Sequence, residues 1–328
     1  MRGRATSGGR RPPSSGTVAL RARAPAKVNL LLRVGPRRAD GYHEIVSLMV
    51  PLDLSDEVKL RVELGRRGGV HCRVPGRPEL GGAENLAVRA ALAFRRLFRV
   101  EDRIDILLDK RIPVTAGLGG GSSDAAAVLR MLARAYRVTD RSGLARAALE
   151  VGSDVPFFLG SGPAWARGRG EQLTPARVEP LHLVLVYPRD PALAIRAPEA
   201  FRWLDEDRPV KGRAIEGSLC PRRFDFSTMA QNDLEGPCLR RRPGIRHLLG
   251  LLVRAGAPVA IMSGSGPTVF GVLPGRATAR RTAGHMLETG PDLEIYAVRT
   301  LQRLPGVFRW TSPRSASSPS VKRSSRLT

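Results

Sequence analysis

A water-soluble α/β or α+β fold in two units is what the sequence predicts, on three observations. Strand-like runs precede helix-like runs through the first half, and a proline-punctuated stretch in the middle leads into a fresh apolar run. Length and composition agree: 328 residues, 42% hydrophobic and 26% charged, suffice for one large domain or two modest ones sharing a cleft. No uninterrupted apolar run approaches the ~18 residues that a membrane-crossing helix needs.

Taken in order, residues 1–18 are rich in Arg, Gly, Ser and Pro, carry no acid and hold no apolar stretch like a secretory signal. They read as a disordered basic tail, a composition shared with organelle transit peptides. Val28 to Val34, Glu57 to Glu63 and Ile104 to Leu108 read as strands. Glu84 to Phe98 and Asp124 to Tyr136 carry apolar residues at helical spacing. Thr174-Pro175 to Pro180 then separates a unit at 19–174 from one at 175–308, which opens on the buried-strand run Leu181 to Tyr187. Residues 309–328, Ser/Arg/Pro-rich and acid-free, form a second basic tail. No repeat with a period of some tens of residues is present.

The balance of 54 basic to 30 acidic residues gives a formal charge of +24, which favours phosphorylated or otherwise anionic partners. Only five of the 54 are lysine (Lys27, Lys59, Lys110, Lys211, Lys322), and the diffuse arginine excess reads as a compositional bias. Aromatics are 5% of the chain and do not interleave with a basic stripe, so a nucleic-acid-binding protein is the lesser alternative. The three cysteines, Cys72, Cys220 and Cys238, have neither metal-ligand nor Cys-x-x-Cys spacing, which fits a reducing, cytoplasmic setting.

The most informative segment is Ile112-Pro-Val-Thr-Ala-Gly-Leu-Gly-Gly-Gly-Ser-Ser-Asp124 followed by an alanine-rich helix. Gly117, Gly119, Gly120 and Gly121 let backbone N–H groups approach a ligand without obstruction, and Ser122 and Ser123 add hydroxyls, either of which can cap the helix. Free amides and the positive end of a helix dipole converge there, so the loop is expected to hold phosphate rather than serve as a plain capped turn. It is not a Walker A loop, because no lysine lies between Lys110 and Lys211.

Other segments offer chemistry with a bland reading beside it. Lys27 and Asn29, two apart, share one strand face and are either ordinary surface groups or site residues. Asp40-Gly41 is a hairpin turn; Tyr42-His43 after it is either a half-buried pair or a base-recognition platform. Asp154 in Gly152-Ser-Asp-Val-Pro-Phe-Phe-Leu159 either caps a short helix or accepts a proton from a substrate hydroxyl, with Lys27 as counter-charge. Met262-Ser-Gly-Ser-Gly-Pro-Thr-Val-Phe270 reads as a tight connection into a strand, and Asn232-Asp-Leu-Glu235 as a helix start.

In this order the segments resemble the GHMP kinases, from about Arg21 to about Leu304, the Asp-Gly-Tyr-His motif selecting the branch that acts on a cytidyl diphosphate. The resemblance implies a two-domain α+β chain. Its N-terminal unit would be like the second domain of ribosomal protein S5, its C-terminal unit ferredoxin-like, with the active site in the cleft between them. It implies ATP and Mg²⁺, and phosphorylation of the C2 hydroxyl of 4-diphosphocytidyl-2-C-methyl-D-erythritol in isoprenoid precursor synthesis. By the same similarity Lys27 and Asp154 match the catalytic pair, Asn29 a substrate contact, Tyr42 and His43 the cytosine positions, and Asn85 an adenosine-side contact. Phe201 matches the aromatic closing the other side of the base, although Ala194-Ile195-Arg196-Ala197 departs from the Ser/Thr-rich pattern usual there. No metal ligands are implied. A homoserine- or mevalonate-type kinase of the same superfamily is the nearest alternative.

Overall fold

The computed structural model describes residues 15–208, 224–289 and 292–310. Both tails and Cys220 fall outside the described residues, apart from the tail segments corrected below. The architecture is α+β: two sheets, each covered on its outer face by helices, with a shared apolar layer between them.

The first half runs β1 (Gly16–Arg37), β2 (His43–Arg67), β3 (Val70–Arg73), α1 (Leu86–Phe98), β4 (Asp102–Asp109), α2 (Gly120–Tyr136), α3 (Arg141–Val151), β5 (Ala164–Gly168) and β6 (Gln172–Pro175). The second half runs β7 (His182–Pro188), α4 (Ala197–Asp207), α5 (Phe226–Met229), β8 (Gln231–Asn232), α6 (Glu235–Arg241) and α7 (Gly244–Arg254). It continues through β9 (Ala260–Met262), β10 (Val269–Leu273), α8 (Arg276–Thr289), β11 (Leu293–Arg299) and β12 (Val307–Arg309). The first sheet has the order β12-β1-β2-β4-β3, with β5 on β2, β6 on β5 and β8 on β1; the second is β11-β7-β10-β9.

Side-chain alternation explains the layering. Along β7, Val184 and Val186 face the helices of the second sheet, whereas Leu183 and Leu185 face Val28, Leu30 and Val50 of the first. On the far side, Leu20, Ala22 and Ala24 of β1 pack with Ala87, Ala91, Phe94 and Ala125–Leu129 of α1 and α2. Alanine-rich helix faces let the helices lie close to the sheet and to each other.

Three boundaries differ from the sequence reading. Residues 16–18, assigned to the basic tail, are strand, with Val18 opposite Val62. The run Val28 to Val34 is only the later part of a 22-residue strand, because the buried positions just before it, Ala22, Ala24 and Ala26, are alanines, which carry little strand signal. The chain also does not stay in a second unit after residue 175. Leu31 and Leu32 pair with Gln231 and Asn232, Leu52 bridges Thr300, and β12, reaching into the supposed tail at Arg309, pairs with Leu20–Ala22. Cys72 and Cys238 are free thiols. No helix among the described residues is long and apolar enough to cross a membrane.

Candidate active site

A register shift in the β1–β2 pairing between Pro25 and Lys27 turns Lys27 inward, and its backbone N–H donates to the Leu118 carbonyl at 2.9 Å. Only 5% exposed, the lysine donates from Nζ to Asn29 Oδ1 at 2.7 Å. Asn29 Nδ2 in turn donates to Ser47 Oγ at 2.7 Å, and that hydroxyl donates to the Leu31 carbonyl at 2.8 Å. This buried chain holds the ammonium in place, and the ammonium also faces Asp154 Oδ2 at 3.5 Å. Asp154 sits in the turn after α3, ahead of a short 3-10 turn over Pro156–Leu159 whose cap is Val155, so its carboxylate, 37% exposed, is free of capping duty.

The glycine loop delivers α2 to the same place. Its N-cap is Gly119 in the left-handed region at φ +70°, and no side chain caps the helix. Ser122 and Ser123, expected to cap it, lie instead in its first turn; a glycine at the cap leaves the leading N–H groups uncovered. A Cβ on Gly119 would approach Lys27 Cγ to 3.0 Å, and one on Gly117, at φ +74°, would lie 2.5 Å from the Ser263 carbonyl oxygen. The second glycine segment, read as a mere connection, is therefore half of the site. Ser263 Oγ donates to the Gly117 carbonyl at 3.2 Å, and Asn232 Nδ2 holds the segment by donating to the carbonyls of Met262 and Gly264, both at 2.7 Å.

At the other end lies an aromatic cluster. Asp40 Oδ1 accepts from the Tyr42 N–H at 3.1 Å and Gly41 takes φ +84°, a turn that leaves Tyr42 51% exposed with the Arg169 guanidinium 4.5 Å from its ring centre. His43 is buried. Its ring stacks on Phe201 of α4 at 5.1 Å, and Nε2 lies 2.8 Å from Asp205 Oδ1.

One cleft of about 730 Å³ joins both ends. Lys27, Asn29, Tyr42, His43, Gly117, Gly119, Ser122, Asp154 and Phe201 line it; Gly120, Gly121, Ser123 and Asn85 do not. Asn85 instead caps α1, its Oδ1 accepting from the Ala87 N–H at 2.9 Å and its Nδ2 donating to the Leu80 carbonyl at 2.7 Å. Arg37, Arg169, Arg202 and Asp205 also line the cleft, and the sequence reading singled out none of them.

Beneath the first turn of α2 is a buried charge cluster that the sequence reading passed over. Lys110 Nζ donates to Asp56 Oδ2 at 2.5 Å and to Asp124 Oδ2 at 2.7 Å, and Asp56 Oδ1 accepts from the N–H groups of Arg111 and Ile112 at 2.6 and 2.8 Å. Burial presses the Lys110 ammonium down, but the two carboxylates outweigh it and its pKa is raised. Burial pushes the Asp124 carboxyl up to about 7, the Asp56 charge adding to it and Lys110 opposing.

A carboxyl that holds its proton more tightly folded than unfolded contributes stability fully present below its unfolded value of about 3.9 and lost as pH rises through its folded one. Urea unfolding of the wild type and Asp124→Asn should therefore show the wild type losing stability relative to the variant from about pH 4 to about pH 7, then levelling. A wild type that instead gains stability relative to the variant over that range would contradict the assignment.

Residues 85–162 match the GHMP kinases N terminal domain. The chain is 62% identical over 309 residues to the 4-diphosphocytidyl-2-C-methyl-D-erythritol kinase of Anaeromyxobacter dehalogenans (strain 2CP-C), covering 93% of this chain and 98% of that one. Among solved structures, a 4-(cytidine 5'-diphospho)-2C-methyl-D-erythritol kinase superposes with a TM-score of 0.70 at 34% identity, covering 85% of this chain and 98% of that chain. The homoserine kinase of Cytophaga hutchinsonii superposes with a TM-score of 0.66 at 19% identity, covering 89% and 97%, a likeness of fold alone.

Proposed function

The chain belongs to the GHMP kinases, in the family of the 4-diphosphocytidyl-2-C-methyl-D-erythritol kinases, and from this we propose how its cleft works. The reaction moves the γ-phosphoryl group of ATP to the C2 hydroxyl of 4-diphosphocytidyl-2-C-methyl-D-erythritol, giving the 2-phosphate and ADP. One observation carries the assignment of roles: the Lys27–Asp154 pair and the uncapped start of α2 share one end of a cleft whose other end is aromatic.

In this reading the loop amides from Gly117 to Ser122 hold the triphosphate, the Ser123 N–H being given to the Gly119 carbonyl at 2.9 Å, and Asp154 takes the proton of the C2 hydroxyl. That oxygen bonds to the γ-phosphorus as the bond from phosphorus to the ADP oxygen breaks. Lys27 orients Asp154 and neutralises charge, and Asn29 keeps Lys27 in place and contacts the acceptor. Tyr42, His43 and Phe201 take the cytosine, and the arginines lining the cleft suit its diphosphate. Asn85 serves the adenosine side by holding the start of α1, where Leu86 approaches Gly121.

Among the described residues no cluster of three acidic, His or Cys side chains can cage a metal. Magnesium arriving with ATP keeps phosphate and water ligands and needs one or two protein donors. Ser122, which lines the cleft, and Ser123 Oγ, buried without a partner, fit that need. Bound there, the ion would neutralise charge on the phosphates. The first sheet with α1 and α2, which draws Gln231–Asn232 and Val307–Arg309 from the second half of the chain, then forms the phosphate-binding unit, and the second sheet with its helices supplies Phe201 beside the base. Two free thiols support a reducing compartment, the cytoplasm.

The test is ADP release with the cytidyl alcohol, homoserine and mevalonate as acceptors. Turnover is expected with the first alone; equal turnover with either other acceptor would sink the reading. Tyr42→Ala should raise KM for the cytidyl substrate by the ~1–3 kcal/mol of a lost base stack and leave KM for ATP unchanged.

A further inference from the structure

The hydrogen bond between His43 and Asp205 joins residues 162 apart in sequence, one at the start of β2 and the other on α4. Its acceptor is a carboxylate and offers no hydrogen of its own when ionised, so Nε2 of the imidazole must carry the hydrogen. The ring is held from its face by Phe201 and only 7% of its side chain is exposed, so turning it would break the stack in passing and put a carbon where Nε2 meets Asp205. Among the described residues His43 makes no second side-chain hydrogen bond, and it lines the cleft. Its remaining nitrogen, Nδ1, is therefore a lone pair in the neutral ring, able to accept and unable to donate.

We propose that Asp205 is a positioning residue that fixes the hydrogen on Nε2 of His43, so that the imidazole presents an acceptor and the cleft selects a base bearing an exocyclic amino group over one bearing a carbonyl at that position. The inference rests on the reading of the cleft given above and deepens it. An amino group, as on cytosine, donates to the Nδ1 lone pair. A carbonyl, as on uracil, meets it lone pair to lone pair, and a site built around one hydrogen-bonding pattern rejects the other strongly. Arg169 and Tyr42 add stacking, which is indifferent to that distinction because every base has a π-face. Discrimination between the two pyrimidines thus falls on the imidazole and, through it, on Asp205.

Two measurements test this, using Asp205→Ala and Asp205→Asn. Asp205 is 41% exposed at its side chain, so both variants are expected to fold. Nitrogen-15 spectra of the imidazoles should show His43 of the wild type with its hydrogen on Nε2 and a mixture of tautomers in Asp205→Ala. In ADP-release kinetics, Asp205→Ala should raise KM for the cytidyl substrate with kcat within about twofold, and shrink the preference in kcat/KM over the uridyl analogue by about tenfold. Asp205→Asn, whose Oδ1 can still accept from Nε2–H, should restore most of that preference. Unchanged discrimination in Asp205→Ala, or an unchanged tautomer, overturns the inference. A wild type that turns over neither nucleotide instead overturns the reading of the cleft, and the tautomer of His43 then decides the role of Asp205 alone.

Discussion

Asp154→Asn should lower kcat by about 10²–10⁴, the range lost with a general base, while ATP binds as before. The amide keeps the shape of the carboxylate but cannot take the proton of the acceptor hydroxyl. Stability should move by about 1 kcal/mol or less, since the carboxylate is 37% exposed and its ion pair with Lys27 is partly screened by water. Lys27 belongs to the same unit, so Lys27→Met should lose a comparable factor and the double variant little more than the worse single one, as for groups that act together. Steady-state ADP release with calorimetric ATP titration measures both terms. A variant turning over within about threefold of the wild type would remove Asp154 from the chemistry.

Lys110→Met should destabilise the fold by about 3–5 kcal/mol, because it leaves two carboxylates buried with no counter-charge. Asp56 is wholly buried and Asp124 nearly so, and Asp56 is already committed to two backbone N–H groups, so neither can turn to water. The loss should shrink in acid as the carboxyls take up protons. Adding Asp124→Asn should recover most of it at neutral pH, because one of the facing charges is gone. Urea unfolding of the three proteins reads this directly; a wild-type midpoint for Lys110→Met would mean the cluster is balanced some other way. The Lys110 amine lies 3.5 Å from the point where a Cβ on Gly120 would stand, so ATP affinity should fall together with stability.

Much of the site was legible because its chemistry is concentrated in short segments. Lys27 and Asn29 share a strand face by simple alternation, and the glycine loop before an alanine helix has few uses besides holding an anion. What the letters could not carry is distance across the chain. Nothing local marks Asp56, Lys110 and Asp124 as partners until β2, the end of β4 and α2 bring them together. Asp205 is one acid among several on α4, and only the packing of that helix on β2 sets it against His43. The second glycine segment looked like a turn because its partner, Gly117, lies 146 residues away. The strand start at Gly16 was hidden by alanines, whose local preference is helical and whose small size the packed helices require.

The free flank of β1 is filled from the second half of the polypeptide: by Gln231 and Asn232 toward its end and by Val307–Arg309 near its beginning. During synthesis, that flank emerges from the ribosome long before its partners exist. A nascent chain stalled at the midpoint would present an open row of amides and carbonyls, the kind of surface on which strands of neighbouring nascent chains add. Efficient production of this protein should therefore depend on holding the first half unassembled until translation is nearly finished.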